Sequence, residues 1–435
     1  MGLVNKLFRG DRSVWIIFMF LCLVSLVEVY SATSTLAYKN TYFFAPIVRH
    51  ATFLFAGFCA VLLLHNIPSK YYSLAIILLP ISMLMLLVTL FIGENINEAN
   101  RFLSFFGIQF QPSEIAKLSC VVFVAFMLSR QDRITPDKTF WITIIGVGMT
   151  CVLIVSENFS TAFLLFVVCY LMMFIGQAPL KKMGVLLAIL ILAGVCSIAA
   201  FHSVPDDFAR KYFPDRYFTW RARMGITHVE KWKNPINEIF ADKEKEDKYI
   251  ITDDNFQVGH AKIAIARGSI FGKLPGRSVQ RDFLPQAYSD FIYAIIIEEL
   301  GLIIGGGGVL MLYVILMFRV AIIARRCEKM FPKYLALGCG LLIVIQAFIN
   351  MAVAVSLFPV TGQPLPLISR GGTSTMLTCF YFGIILSVSR FGAGMGDEVD
   401  EVEAEDAEVA IIEGTKAEED SEFVDVMDRE EISGK

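Results

Sequence analysis

The sequence predicts an all-α, polytopic membrane protein with about ten transmembrane helices. Three observations carry that expectation. Of 435 residues, 56% are hydrophobic and 18% charged, against about 25% charged in a soluble domain; mean hydropathy is +0.61. Apolar runs recur along the chain at the length of ~20 residues that crosses a bilayer. Those runs are continuous rather than alternating, which excludes a β-barrel and leaves helices to satisfy the backbone in lipid.

The runs fall near 14–36, 46–66, 72–92, 113–129, 139–156, 159–176, 183–201, 289–318, 334–358 and 373–392. The first is long, carries Glu28 and is followed by further spans, so it reads as an uncleaved helix rather than a signal peptide. An inside N-terminus puts Arg9, Arg12, Lys70, Arg130, Lys181, Lys182, Arg325, Arg326 and Arg390 on the cytoplasmic side, with Lys39, Arg101 and Arg370 among the few outside. This is the positive-inside bias. Both termini are then cytoplasmic, and one large extracytoplasmic loop, 202–288, separates the seventh and eighth helices.

Residues 1–396 form the predicted membrane domain. From Asp397 to Lys435 there are 17 acidic and 3 basic residues, so this tail carries −14 and the rest of the chain +11. Such a composition predicts a disordered cytoplasmic tail, either solubilising or docking a partner. No clustered basic face with interleaved aromatics occurs, which argues against nucleic acid. The nine cysteines lie within or beside spans and read as packing residues. The five histidines are scattered, and no spacing suggests a bound zinc. Room remains for a Mg²⁺ or Mn²⁺ ion, which needs few protein ligands.

Polar residues in this background carry the chemistry. Asp290 stands where a polar, aromatic loop gives way to a long apolar helix, and a charge at the mouth of a span is a functional candidate by default. Asn100 to Leu118 is a second polar island. Its Pro112 suits a first helical turn, and Glu114 and Lys117, three apart, share a face. They read either as a structural pair or as cavity-lining groups, with Arg101 preceding them on the same outside loop. Glu157 interrupts two runs, as a turn residue or as a second carboxylate near that face. The loop 202–288 mixes Arg216, Arg221, Arg223, Trp220, Trp232 and Lys233, and guanidinium groups suit phosphate. Its charged run 242–248 reads as a solvated hairpin or helix. Gly305–Gly308 lies inside the eighth span, for close packing or as a hinge. Residues 359–373 break the helical pattern before the last span, as backbone lining a cavity does, and bring Arg370 as an anion contact or an interfacial anchor.

Several of these segments together resemble the SEDS family (shape, elongation, division and sporulation), over nearly everything up to residue 394. They are Gln111-Pro-Ser-Glu-Ile-Ala-Lys117, Gly276-Arg-Ser-Val-Gln280, Leu284-Pro-Gln-Ala-Tyr-Ser-Asp-Phe291, Glu298-Glu-Leu-Gly301 and Pro364-Leu-Pro-Leu-Ile-Ser-Arg-Gly-Gly-Thr373. The Ser-Val-Gln element is closer to the division branch than to the elongation branch. The resemblance implies a peptidoglycan glycosyltransferase polymerising lipid II, working with a class B penicillin-binding protein and other divisome proteins in the bacterial inner membrane at the septum. It implies Asp290 as catalytic base, and Arg101, Gln111, Glu114, Lys117, Glu157, Ser369 and Arg370 as substrate-binding candidates. The chain departs from the family pattern where Gln286, Tyr288 and Ser289 replace Glu, His and Thr, where Asn158 replaces Asp, and where Arg370 replaces Tyr. Those differences bear on the partners of the site and leave Asp290 in place. A lipid II flippase using the same polar cavity, an elongation-type polymerase and a scaffold are the alternatives.

Overall fold

The computed structural model describes residues 8–33, 44–95, 100–105, 108–131, 133–203, 256–284 and 287–392. The acidic tail, the charged run 242–248 and the Arg/Trp-rich part of the large loop lie outside them.

Helix α1 (Arg12–Ala32) starts on Asp11, whose Oδ1 accepts from Val14 N at 3.1 Å, the usual way a carboxylate satisfies an orphan donor. Helix α2 is Ala45–Leu64. The third expected span, 72–92, is not α-helical throughout: Ser69–Ile77 is a 3₁₀ segment and only Leu78–Ile92 is α-helix, α3. Pro80 explains the break. Its missing N–H and its ring forbid an α-helical bond to Ile76, so the α-helix begins with Pro80 in its first turn.

A strand meander follows, which the all-α expectation did not contain. Strands β1 (Glu94–Asn95), β2 (Asn100–Phe105) and β3 (Ile108–Phe110) pair antiparallel in that order. The register pairs Leu103 with Phe110, Ser104 with Gln109 and Phe105 with Ile108. Alternation of apolar and polar residues through Ile108–Gln111 was the available signal.

Helix α4 (Pro112–Leu128) is buried along most of its length, as is α11 (Met330–Ala354), and the two form the centre of the bundle. Around them stand α5 (Pro136–Glu157), α6 (Phe159–Ile175), α7 (Leu180–Ser203), α10 (Val309–Arg326) and α12 (Thr373–Phe391). Among the described residues seven helical segments are long and apolar enough to cross a membrane. The positions of the other three expected spans are held by α4, α6 and α7. Outward-facing Leu84, Phe91, Val152 and Leu192 are exposed, as suits helices that meet lipid.

Within the expected loop 202–288 lies a helix, α8 (Phe256–Gly268), packed on α9 (Ile292–Leu300). Glycine makes that contact possible: a Cβ on Gly268 would come within 2.1 Å of Ile297 O, and one on Gly301, at φ 82°, within 2.4 Å of Ile270 O. After α9 the chain widens into a π-type turn, Gly301–Gly308, before α10. Within the glycine run only Gly305 is closely packed, where a Cβ would come within 2.5 Å of Ile296 O, and the run as a whole accompanies a local change of helical winding.

Two sets of contacts mark the two ends of the bundle. At one end Asp11 pairs with Arg319, Asp11 N bonds Ser389 Oγ at 3.0 Å, and Arg390 donates to Asn66 at 2.7 Å. These are ends the sequence assigns to the cytoplasm. At the other end the acidic pair after Asp290 clamps the loop before it. Glu298 accepts from Ser278 Oγ (2.5 Å) and Gln280 N (3.2 Å); Glu299 accepts from Ser31 Oγ (2.5 Å) and Gly276 N (3.0 Å), with Arg281 4.0 Å away.

Glu28 on α1 is fully buried, and neither carboxyl oxygen has a hydrogen-bond partner among the described residues. A buried unsatisfied group destabilises by about 1–3 kcal/mol. Glu28→Met, nearly isosteric and apolar, is therefore expected to raise thermal stability by a comparable amount. Differential scanning measurements on the purified protein check this, and an unchanged or lower midpoint would refute it.

Candidate active site

Asp290 lies in the turn Ala287–Phe291 that feeds α9. Fully buried Phe291 and Ile292 anchor the turn in the core, while Asp290 itself is only partly buried. Ser289 Oγ donates to its Oδ1 at 3.0 Å. A Cβ built on Gly362 would stand 3.7 Å from its Oδ2, so the carboxylate faces the segment between α11 and α12.

That segment, 355–372, folds back against the turn through several polar contacts. Ser369 Oγ donates to Ser289 O and accepts from Leu365 N, both at 2.7 Å. Arg370 N donates to Tyr288 O at 3.0 Å, and its guanidinium sits 5.2 Å over the Tyr288 ring. Partial burial lowers the Arg370 pKa from its ordinary value, with Tyr288 opposing and the charge of Arg49 adding to the decrease; the guanidinium stays protonated at physiological pH. The later part of the segment is buried in protein, Gln363 and Leu365–Ser369 all being buried, as non-helical backbone in a membrane setting requires. Val355, Leu357 and Phe358 are exposed.

Glu114 and Lys117 form the predicted i,i+3 pair, Lys117 Nζ to Glu114 Oε1 at 2.8 Å, and both are almost wholly buried. Lys117 also donates to Gln346 Oε1 at 3.1 Å, and Gln346 Nε2 reaches Pro364 O at 3.0 Å. One turn along α11, Asn350 Nδ2 bridges Asp290 O (2.9 Å) and Gln363 O (2.7 Å). Gln363 Nε2 then donates to Thr161 Oγ1 at 2.8 Å. Two amides on one helix face thus tie Lys117 and Asp290 to the same loop.

The remaining candidates divide. Gln111 precedes α4 and makes no side-chain capping bond; its carbonyl accepts from Glu114 N at 3.1 Å. Glu157 is fully buried at the last residue of α5, and it is Thr161, one turn further on, that meets the folded-back loop. Arg101 lies on β2, with its side chain outside those described. Sequence reasoning missed Gln346, Asn350, Gln363 and Thr161. The available signal was a pair of amides four residues apart in an otherwise apolar span.

Chemically, the turn sets an acceptor, the Asp290 carboxylate, beside a folded-back loop bearing a guanidinium, with a buried ammonium linked to it through Gln346. Proton removal at one point and stabilisation of an anion nearby are what such a set can do.

The fold and this site together define a polytopic membrane protein with a hydrogen-bonded polar cluster around Asp290 at one end of a helical bundle. The sequence model named for FtsW, RodA and SpoVE, described as "Cell cycle protein", matches residues 11–393. The chain belongs to that family, the one its motifs resemble. A relative from Nitrosococcus halophilus, "Probable peptidoglycan glycosyltransferase FtsW", is 31% identical over 349 residues, spanning 78% of this chain and 81% of the relative. Another, "Stage V sporulation protein E" of Bacillus subtilis, is 28% identical over 399 residues, spanning 89% and 99%. Among solved structures, one titled "Structural coordination of polymerization and crosslinking by a peptidoglycan synthase complex" superposes with a TM-score of 0.62 at 21% identity, covering 88% of this chain and 98% of that one. The Thermus thermophilus rod shape determining protein RodA superposes at 0.58 with 20% identity, covering 88% and 97%.

Proposed function

We infer that this chain is a peptidoglycan glycosyltransferase that polymerises lipid II at the outer face of the bacterial inner membrane, in its division form at the septum. The observation that carries the reading is the Asp290 carboxylate at the mouth of the bundle, on a residue whose backbone carbonyl is linked, through Asn350, the folded-back loop and Gln346, to buried Lys117. In the reaction Asp290 takes the proton of the acceptor 4-hydroxyl, whose oxygen attacks the donor's anomeric carbon. A C–O bond forms with inversion as the bond to the lipid diphosphate breaks. Arg101, Lys117 and Arg370 supply positive charge to the leaving diphosphate, and Gln111, Glu114, Glu157 and Ser369 line or frame that site. Two polyprenyl-linked substrates need their lipids in the membrane and their sugars at its surface, which an opening at this depth provides.

A class B penicillin-binding protein is the proposed crosslinking partner, in keeping with the synthase complex whose fold this chain shares. Among the described residues no three His, Cys, Asp or Glu side chains come together as a metal site. The test is polymerisation of lipid II by the purified protein, with and without its cognate transpeptidase. Glycan strands in either arm support the reading; lipid II transport across vesicles with no strands in either arm would replace it with the flippase.

Deletion of Asp397–Lys435 is expected to leave polymerisation within about twofold of wild type, because a tail of this charge cannot join a packed core. Its effect is expected in cells, on recruitment or abundance. The assay is strand synthesis by the truncated protein beside its localisation. A large loss of synthesis in a well-folded truncation would couple the tail to the active site.

A further inference from the structure

Gly392, the last residue of the described structure, sits where several elements meet. Its carbonyl accepts from Glu328 N at 3.1 Å, and a Cβ on it would come within 2.7 Å of Cys327 Sγ, in the turn between α10 and α11. Just before it, Ser389 Oγ accepts from Asp11 N at 3.0 Å at the start of α1, and Arg390 donates to Asn66 Oδ1 at 2.7 Å beyond the end of α2. The chain therefore leaves the bundle at the junction of these elements, at the end the sequence assigns to the cytoplasm.

That junction is strongly basic. Arg12, Lys70, Arg325, Arg326 and Lys329 are exposed on the elements that meet there, with Lys333 half-buried. Among the described residues none of these six pairs with a carboxylate. The acids beside them do not neutralise them: Asp11 is held by Arg319, and Glu328 is a single exposed carboxylate. Like charges gathered without counter-ions raise the local positive potential.

The chain that continues from Gly392 has the opposite sign. Residues 397–435 carry 17 acids and 3 bases, and Asp397–Glu408 holds eight acids and no base in twelve residues. Asp397 follows Gly392 by five residues, and even a fully extended link keeps its Cα within ~18 Å of the exit. Tethering at such range gives the acids an effective concentration on the order of mM over the face.

We propose that the acidic tail, with Asp397–Glu408 leading, folds back across this basic face as an intramolecular polyanion. The contact is electrostatic and solvated, so it needs no packed core and suits a composition that cannot build one. It makes the face conditional: the tail and any acidic partner or anionic headgroup compete for one set of cations, and raised salt releases the tail.

The test uses the full chain in phosphatidylcholine nanodiscs, one copy per disc, treated with a water-soluble carbodiimide that joins a carboxylate directly to an amine in contact with it. Mass spectrometry maps the links. At low salt, tail carboxylates are expected to be linked to Lys329 and Lys333, with about fivefold fewer links at about 0.5 M salt, where the screening length is short. The double variant Arg325→Gln/Arg326→Gln leaves both lysines in place and is expected to lower the yield severalfold at unchanged thermal stability. A yield that ignores both salt and the arginines would reduce the contact to chance encounters of a tethered chain and overturn the proposal, as would the absence of links. Links that vanish when phosphatidylglycerol is added to the discs would give the face to lipid headgroups instead. Links absent from single-copy discs but present in vesicles, between isotopically heavy and light chains, would assign the occupant to a second copy. None of these readouts uses strand synthesis, so the outcome stands apart from the polymerase reading.

Discussion

Asp290→Asn is expected to lower glycan polymerisation by at least the 10²–10⁴-fold that a positioned base typically contributes, with thermal stability and membrane insertion unchanged. The substitution keeps the shape of the side chain and an acceptor for Ser289 Oγ, so the bond at 3.0 Å can persist. The anchor to α11 also persists, because Asn350 binds the backbone carbonyl of residue 290 and not its carboxylate. What is removed is the negative charge and with it the basicity. Single-turnover synthesis with purified variant and wild type measures the effect, and long strands at near wild-type rate would exclude Asp290 as the base.

The second large effect concerns the buried ion pair. Lys117→Ala strands the Glu114 carboxylate, and Glu114→Ala strands the Lys117 ammonium, each at almost complete burial. Breaking such a pair from one side typically destabilises by about 3–5 kcal/mol, so both variants are expected to melt early by similar amounts. They are expected to differ in catalysis. Lys117 is also bonded to Gln346, which holds the loop bearing Arg370, so its removal takes away both a cation and a link to the site. Polymerisation measured below the melting range of each variant separates the two roles. Equal activity losses that track equal losses of stability would make the pair purely structural.

How much of this was legible in the sequence follows from contrast. Asp290, Glu114 and Lys117 stand out because an ionisable group against an apolar run is conspicuous, and spacing alone predicted the i,i+3 contact that the structure contains. Gln346 and Asn350 carry no charge and vanish into a span defined by average hydropathy, although they make the bonds that join the site. Ser25 was invisible for another reason: its hydroxyl donates to Ile368 O, more than three hundred residues away in the chain. The acidic pair Glu298 and Glu299 was visible as a motif, but its part in clamping residues 276–280 needed the loop's backbone N–H groups, which no side-chain pattern displays. The meander β1–β3 is hard to read because strands of two, six and three residues carry too little alternation to stand out from a polar segment.

The folded-back segment between α11 and α12 has a mechanical meaning as well. It is bonded to α1 through Ser25, to α6 through Thr161, to the Asp290 turn through Ser369 and to α11 through Gln346 and Asn350. A carrier that exposes its site alternately to two sides must shear one half of its bundle past the other. Tyr313 of α10 adds a bond to Pro366 O at 2.5 Å, so such sliding would have to break bonds to several parts of the bundle at once, each short of alternative partners in lipid. The segment is placed as a keystone is, joined to its neighbours on every side, and loosening it would loosen this end of the bundle as a whole.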